Sequence, residues 1–168
     1  MEFANMGALA IHLLEAEAAT LRALEIGLDS CATHVKKVAK EEIGEYQPAV
    51  GPFQDWAELA DSTEADKARK GYPLDAPLLR TGEMRDEITH EVSGLEAVAG
   101  AKDEGAGKIL QYHEFGTSKM PPRPVLGPAM FRSRSFIQER LGAAVLSGLF
   151  HGAKIDSSLG YDGETSEQ

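Results

Sequence analysis

The sequence predicts an α+β fold, in which a long N-terminal helix and a C-terminal helix pack on a small antiparallel sheet, with a long loop between the first helix and the sheet. Three observations predict it. Leu14, Leu21, Leu28 and Val35 recur at intervals of seven residues, two alternating apolar runs flank Ser93-Gly94, and helical spacing returns after Pro128. The 168 residues suit one domain over 1–152, with a disordered acidic tail over 153–168.

The first helix runs from Ala8 to about Ile43, and Leu24, Cys31 and Val38 widen its apolar stripe. Gly27, followed by Asp29 and Ser30, offers a break and a new N-cap. The stripe suits either packing against copies of itself or covering a sheet. Glycines and prolines punctuate residues 44–80, a long loop that holds the only tryptophan, Trp56, and DSTEADKARK, a two-turn helix with a Ser62 or Thr63 cap. Trp56 is either an exposed interface anchor or the residue that packs this loop onto its own core. Ile88, His90 and Val92, then Leu95, Ala97 and Ala99, read as a hairpin. AKDEGAGK reads as a turn, and Ile109 to Phe115 as a third strand or a helical turn. Pro128 then opens a helix that ends near His151-Gly152.

Composition and motifs exclude several functions. Seventeen Lys and Arg against twenty-seven Asp and Glu leave a net charge of −10, which disfavours binding to duplex DNA through its phosphates. The single cysteine, Cys31, reads as a buried thiol. The N-terminal stretch lacks the basic opening of a signal peptide, and His12 and Glu15 interrupt it well short of the ~20 apolar residues of a membrane span, so no membrane association is expected. The five histidines are scattered, and on a strand His113 and Glu114 would face opposite sides, so no metal or cofactor is expected. No G-x-S-x-G elbow, Walker loop or dinucleotide fingerprint is present, and Thr81-Gly82 before Glu83 reads as a helix cap. Charge is polarised: residues 119–140 carry five bases and one acid, whereas residues 1–30 carry five acids and one base.

The order LLRTGEMRDEI (78–88), a hairpin, QYHEFGTSKMPPRPVLGPAM (111–130) and a closing helix resembles the neck and tail-completion proteins of long-tailed bacteriophages. Thr81, Gly82, Met84, Arg85 and Ile88 match that family's TG-hydrophobic-R turn. Tyr112, Glu114, Phe115, Gly116 and Thr117 match its aromatic-x-E-F-G-T segment. Pro122, Arg123, Pro124, Leu126, Pro128 and Ala129 match its proline-rich stretch, with Val125 where the family has Phe. The segment before the Thr-Gly turn, with its tryptophan, is also similar to Mu-type virion morphogenesis proteins.

The resemblance implies a non-enzymatic virion protein: a homo-oligomeric ring, commonly a hexamer, at the head–tail junction. Such a ring contacts head-connector or head-closure proteins and tail-terminator or tail-tube proteins, and DNA passes its lumen without sequence-specific binding. It would assemble in the host cytoplasm. The alternatives are a tail-terminator or head-closure ring, or a small metal-dependent hydrolase using His113, Glu114 and Arg123. In the ring reading the prolines pre-organise an arm that reaches a neighbouring copy. Phe115, Arg123, Pro124 and Leu126 are expected to anchor that arm, Trp56 to fix the long loop, and Arg132 and Arg134 to pair with acids on the neighbour.

Overall fold

The computed structural model of the chain describes residues 5–150, so the expected acidic tail lies outside the described residues. The element order is α1 (Met6–Glu42), α2 (Asp61–Lys70), α3 (Glu83–Asp86), β1 (Ile88–Ser93), β2 (Glu96–Ala101), α4 (Glu104–Phe115), α5 (Leu126–Arg132) and α6 (Arg134–Leu149). This is the α+β class, with β1 and β2 forming a two-stranded hairpin whose tip places Gly94 at φ 58°. The residues form two compact units. Unit 1 takes the first part of α1 through Cys31, the hairpin tip at 92–97 and the chain from Ser135; unit 2 takes 32–91 and 98–134.

Helix α1 is continuous over 37 residues, about 55 Å at ~1.5 Å per residue. Its start is capped by the Asn5 side chain, which accepts the Ala8 N–H at 2.9 Å. The break that Gly27 offers does not occur, because within unit 1 Gly27 is buried where α1 meets α6. A Cβ there would lie 3.1 Å from the Ala144 Cβ. Farther along, Gly148 approaches the Thr20 backbone so closely that a Cβ would lie 2.3 Å from its Cα. Residue 27 opposite 144 and residue 20 opposite 148 make the two helices antiparallel, and small residues set their separation. Cys31 is buried as expected; burial pushes its thiol pKa up, while Arg140 acts in the opposite direction.

In unit 2, Ala39, Ile88, Leu110, Val125 and Ala129 are all at most 4% exposed and form the core. Helix α2 forms where expected, but its N-cap is Ala60, with no side-chain bond from Ser62 or Thr63; it ends at Gly71 in the left-handed region. Two expectations are corrected. Ile109–Phe115 is neither a strand nor an isolated turn but the end of α4, which starts inside the supposed AKDEGAGK turn. The Asp103 carboxylate caps it by accepting the Ala106 N–H at 2.9 Å, and Lys108 pairs with Glu104 one turn earlier at 2.6 Å. The helix expected to start at Pro128 starts at Leu126, leaving Pro128 in the first turn, where its missing N–H has no helical acceptor to lose. It then divides at Ser133, whose hydroxyl donates back to the Ala129 carbonyl at 2.7 Å.

Candidate functional site

The three stretches that carry the resemblance converge in unit 2. They line one cleft of about 960 Å³, together with α2 and the loop before it. Thr81, Gly82 and Met84 come from the first stretch, His113 from the second, and Pro121 and Arg123 from the third. Gly82 (φ 92°) occupies the N-cap of α3, and the Thr81 hydroxyl, one residue earlier, accepts the Glu83 N–H at a long 3.4 Å.

The proline segment is strapped to its own unit at successive residues. Gly116, at φ 72°, turns the chain out of α4, and Pro122 folds back over it so that a Cβ on Gly116 would lie 2.9 Å from the Pro122 nitrogen. The Arg123 N–H donates to the His113 carbonyl at 2.7 Å. The Arg123 guanidinium, in a residue 5% exposed, donates through Nε and Nη2 to the Ala57 carbonyl and through Nη2 to that of Glu58. Trp56 donates its indole N–H to the Pro124 carbonyl at 3.1 Å. Of the two readings of Trp56, the structure shows the second: it is 4% exposed and packs the long loop onto its own unit.

Glu114 completes the strap. It lies on a helix and not on a strand, about 100° around the axis from His113, so the two side chains serve different surroundings. Its carboxylate accepts the Val125, Leu126 and Gly127 N–H groups at 2.8, 3.0 and 2.7 Å, satisfying orphan donors at the start of α5. Sequence reasoning assigned Glu114 no such role; an acid eleven to thirteen residues ahead of a helix start carries no local capping signal.

The other expected interface residues divide. Arg132 donates to the Glu42 carboxylate and, at 3.0 Å, to the Gln47 side-chain oxygen, so its acid partner is in its own unit. Leu126 is half-buried and Arg134 exposed. Phe115 is 78% exposed, and with Tyr112 and Ile109 it forms an exposed apolar row at three-residue spacing on α4.

Two titratable groups of unit 2, the buried Glu42 and the half-buried His113, are displaced far from their ordinary range. Burial pushes the Glu42 carboxyl up to about 7 against the opposing pull of Arg132. Burial, aided by the nearby Arg123 charge, pushes His113 down to about 4, so it is neutral near pH 7. His113 Nδ1 is buried without a hydrogen-bond partner. The described residues hold no cluster of three or more His, Cys, Asp or Glu placed for a metal, and no helix among them is long and apolar enough to cross a membrane. No family model, curated protein or solved structure matches the chain.

Proposed function

We propose that this chain is a structural virion protein of a tailed bacteriophage, a homo-oligomeric ring at the head–tail junction that joins the tail to the head connector and lets DNA pass. The observation that carries the reading is the convergence of the three resembling stretches, separated along the sequence, on one cleft and one strapped proline segment. Residues that serve a shared architecture are expected to meet in space.

In this reading the proline segment is a rigid shoulder and not a free arm, and α4, to which it is strapped, presents the exposed row Ile109, Tyr112 and Phe115 to a neighbouring copy. Exposed aromatic residues on a rigid helix suit an interface, since little side-chain entropy remains to be lost on association. The net charge of −10 favours a lumen that repels DNA and lets it slide.

The test measures the size of the purified protein alone and mixed with tails, and images lysates in which its gene is disrupted. A ring-sized species that joins tails, together with unjoined heads and tails in the lysate, supports the reading. Overlong tails would move the ring to the terminator position. A strict monomer that never enters tail-containing particles removes the proposal.

A further inference from the structure

Helix α4 carries two complementary features on opposite faces. One is an exposed aromatic pair: Tyr112 is 52% and Phe115 78% exposed, and the two stand three residues apart. The other is the cleft of unit 2, whose lining includes Ala106 and His113 of the same helix. At ~100° per residue, Phe115 stands about 160° around the axis from His113 and about 180° from Ala106. The pair therefore points away from the cleft of its own copy.

The cleft describes its occupant. Its lining balances four bases with four acids, so it calls for an uncharged group. Half-buried Leu59, Met84 and Met120 supply an apolar wall, and methionine thioethers adapt to aromatic rings and attract them. His113 brings a polar deficit: its buried Nδ1 has no hydrogen-bond partner among the described residues, although buried polar atoms are nearly always satisfied. The volume, about 960 Å³, lies near the top of the ~300–1,000 Å³ range of ligand clefts. A second copy meets these demands. Two copies at −10 each repel at long range, so they meet best through surfaces without net charge, and the aromatic pair and the cleft are both of that kind.

We propose that Tyr112 and Phe115 of one copy enter the unit 2 cleft of a second copy, Phe115 against Met84 and Met120 and the Tyr112 phenol toward His113. Because the pair and the cleft lie on opposite faces of α4, the contact is head to tail: each copy offers the pair to one neighbour and the cleft to another, as a closed ring requires. Two aromatic side chains bury ~300–500 Å², short of the ~800 Å² per partner of a standard interface. A single contact is therefore weak, and closure, which gives every copy two, makes the assembly persist. The proposal rests on the self-association in the reading above and names the surface that receives the exposed row; it does not need the virion setting.

The test uses the full chain with a photo-reactive phenylalanine analogue in place of Phe115, as a mixture of isotope-labelled and unlabelled copies, and maps the crosslinked peptides. Crosslinks that join a labelled to an unlabelled copy are expected on 58–63, 78–84 or 119–123. They are expected to fall about tenfold when Ala106→Trp fills the cleft from the face of α4 opposite residue 115, and again in a separate Tyr112→Ala variant, with circular dichroism checking that each variant is folded; a tenfold loss corresponds to ~1.4 kcal/mol. Crosslinks confined to single copies, crosslinks on other peptides, or crosslinks undiminished by both variants overturn the proposal. Sedimentation of the unaltered chain separates it from the ring reading: a ring-sized species crosslinked elsewhere overturns this contact and keeps the ring. A chain crosslinked as described but absent from tail-containing particles keeps this contact and removes the virion role.

Discussion

The backbone N–H of Gly127 donates to Oε1 of Glu114 at 2.7 Å, joining the end of α4 to the start of α5 across the whole proline segment. With the Val125 and Leu126 donors on Oε2, one carboxylate serves three N–H groups where the helix dipole favours negative charge. Replacing Glu114 by Ala strands those donors and is expected to destabilise the protein by about 3 kcal/mol in urea denaturation. Glu114→Gln is expected to lose about half as much, because its amide keeps one acceptor and turns an NH₂ toward a donor. Equal stability of all three proteins would show that water serves the helix start as well.

Trp56 and Arg123 pin the same two segments together from opposite sides, the indole on the Pro124 carbonyl and the guanidinium on the Ala57 and Glu58 carbonyls. Trp56→Phe strands a buried carbonyl, and Arg123→Lys replaces a planar fork with a single ammonium that cannot span both acceptors. Each is expected to destabilise by about 2 kcal/mol. Because either change loosens the partner's contact, the double variant should fall short of the sum by about 1 kcal/mol in a double-mutant cycle. Strict additivity would mean that the two contacts hold the segment independently.

The parts of the fold legible in the sequence are those with local causes. The period of α1, the alternation around Ser93-Gly94 and the helix formers of 61–70 each act over a few residues, and each element is present. Two glycines in GAGK conceal the start of α4, because their low helix propensity is outweighed by the Asp103 cap and the Glu104–Lys108 pair. Gly27 misleads in the other direction: a residue that permits a break is instead where another helix comes close. The site is harder still. The roles of Glu114, Trp56 and Arg123 depend on partners 11 to 68 residues away, and no pattern within one element encodes them.

Glu42 and His113 impose opposite pH dependences. The folded pKa of Glu42, about 7, lies above its ordinary 4.5, so its contribution is fully present below pH 4.5 and is lost as pH rises through 7. The folded pKa of His113, about 4, lies below its ordinary 6.5, so its contribution is present above pH 6.5 and is lost as pH falls through 4. Between pH 4.5 and 6.5 the two slopes cancel. Glu42→Gln should expose the histidine branch, with stability rising by up to about 3 kcal/mol from pH 4 to 6.5. His113→Gln should expose the glutamate branch, with stability falling from pH 4.5 to 7. Urea titrations at fixed pH check the slopes, which are separate from any uniform loss caused by removing the Arg132 contact. Parallel profiles for all three proteins would sink the assignment.

In unit 1, Gly148 and Gly27 sit on the same helix pair yet are expected to respond differently to alanine. A Cβ at 148 would lie 2.3 Å from the Thr20 Cα and 2.8 Å from its nitrogen, both backbone atoms that cannot swing aside, so α1 and α6 must separate. A Cβ at 27 would meet the Ala144 Cβ at 3.1 Å, with the Leu141 side chain at 3.5 Å and the Arg140 carbonyl oxygen at 3.8 Å in ordinary contact, and a shift of a few tenths of an ångström accommodates it. Alanine also gains ~1 kcal/mol of helix propensity over glycine at either site. That gain offsets the crowding at 27 and leaves Gly27→Ala near neutral. At 148 overpacking dominates, and Gly148→Ala is expected to lower stability by about 2 kcal/mol, a fall of roughly 4–8 °C in Tm. If thermal melts show the two variants alike, the helices are not held as close as the Thr20–Gly148 approach requires.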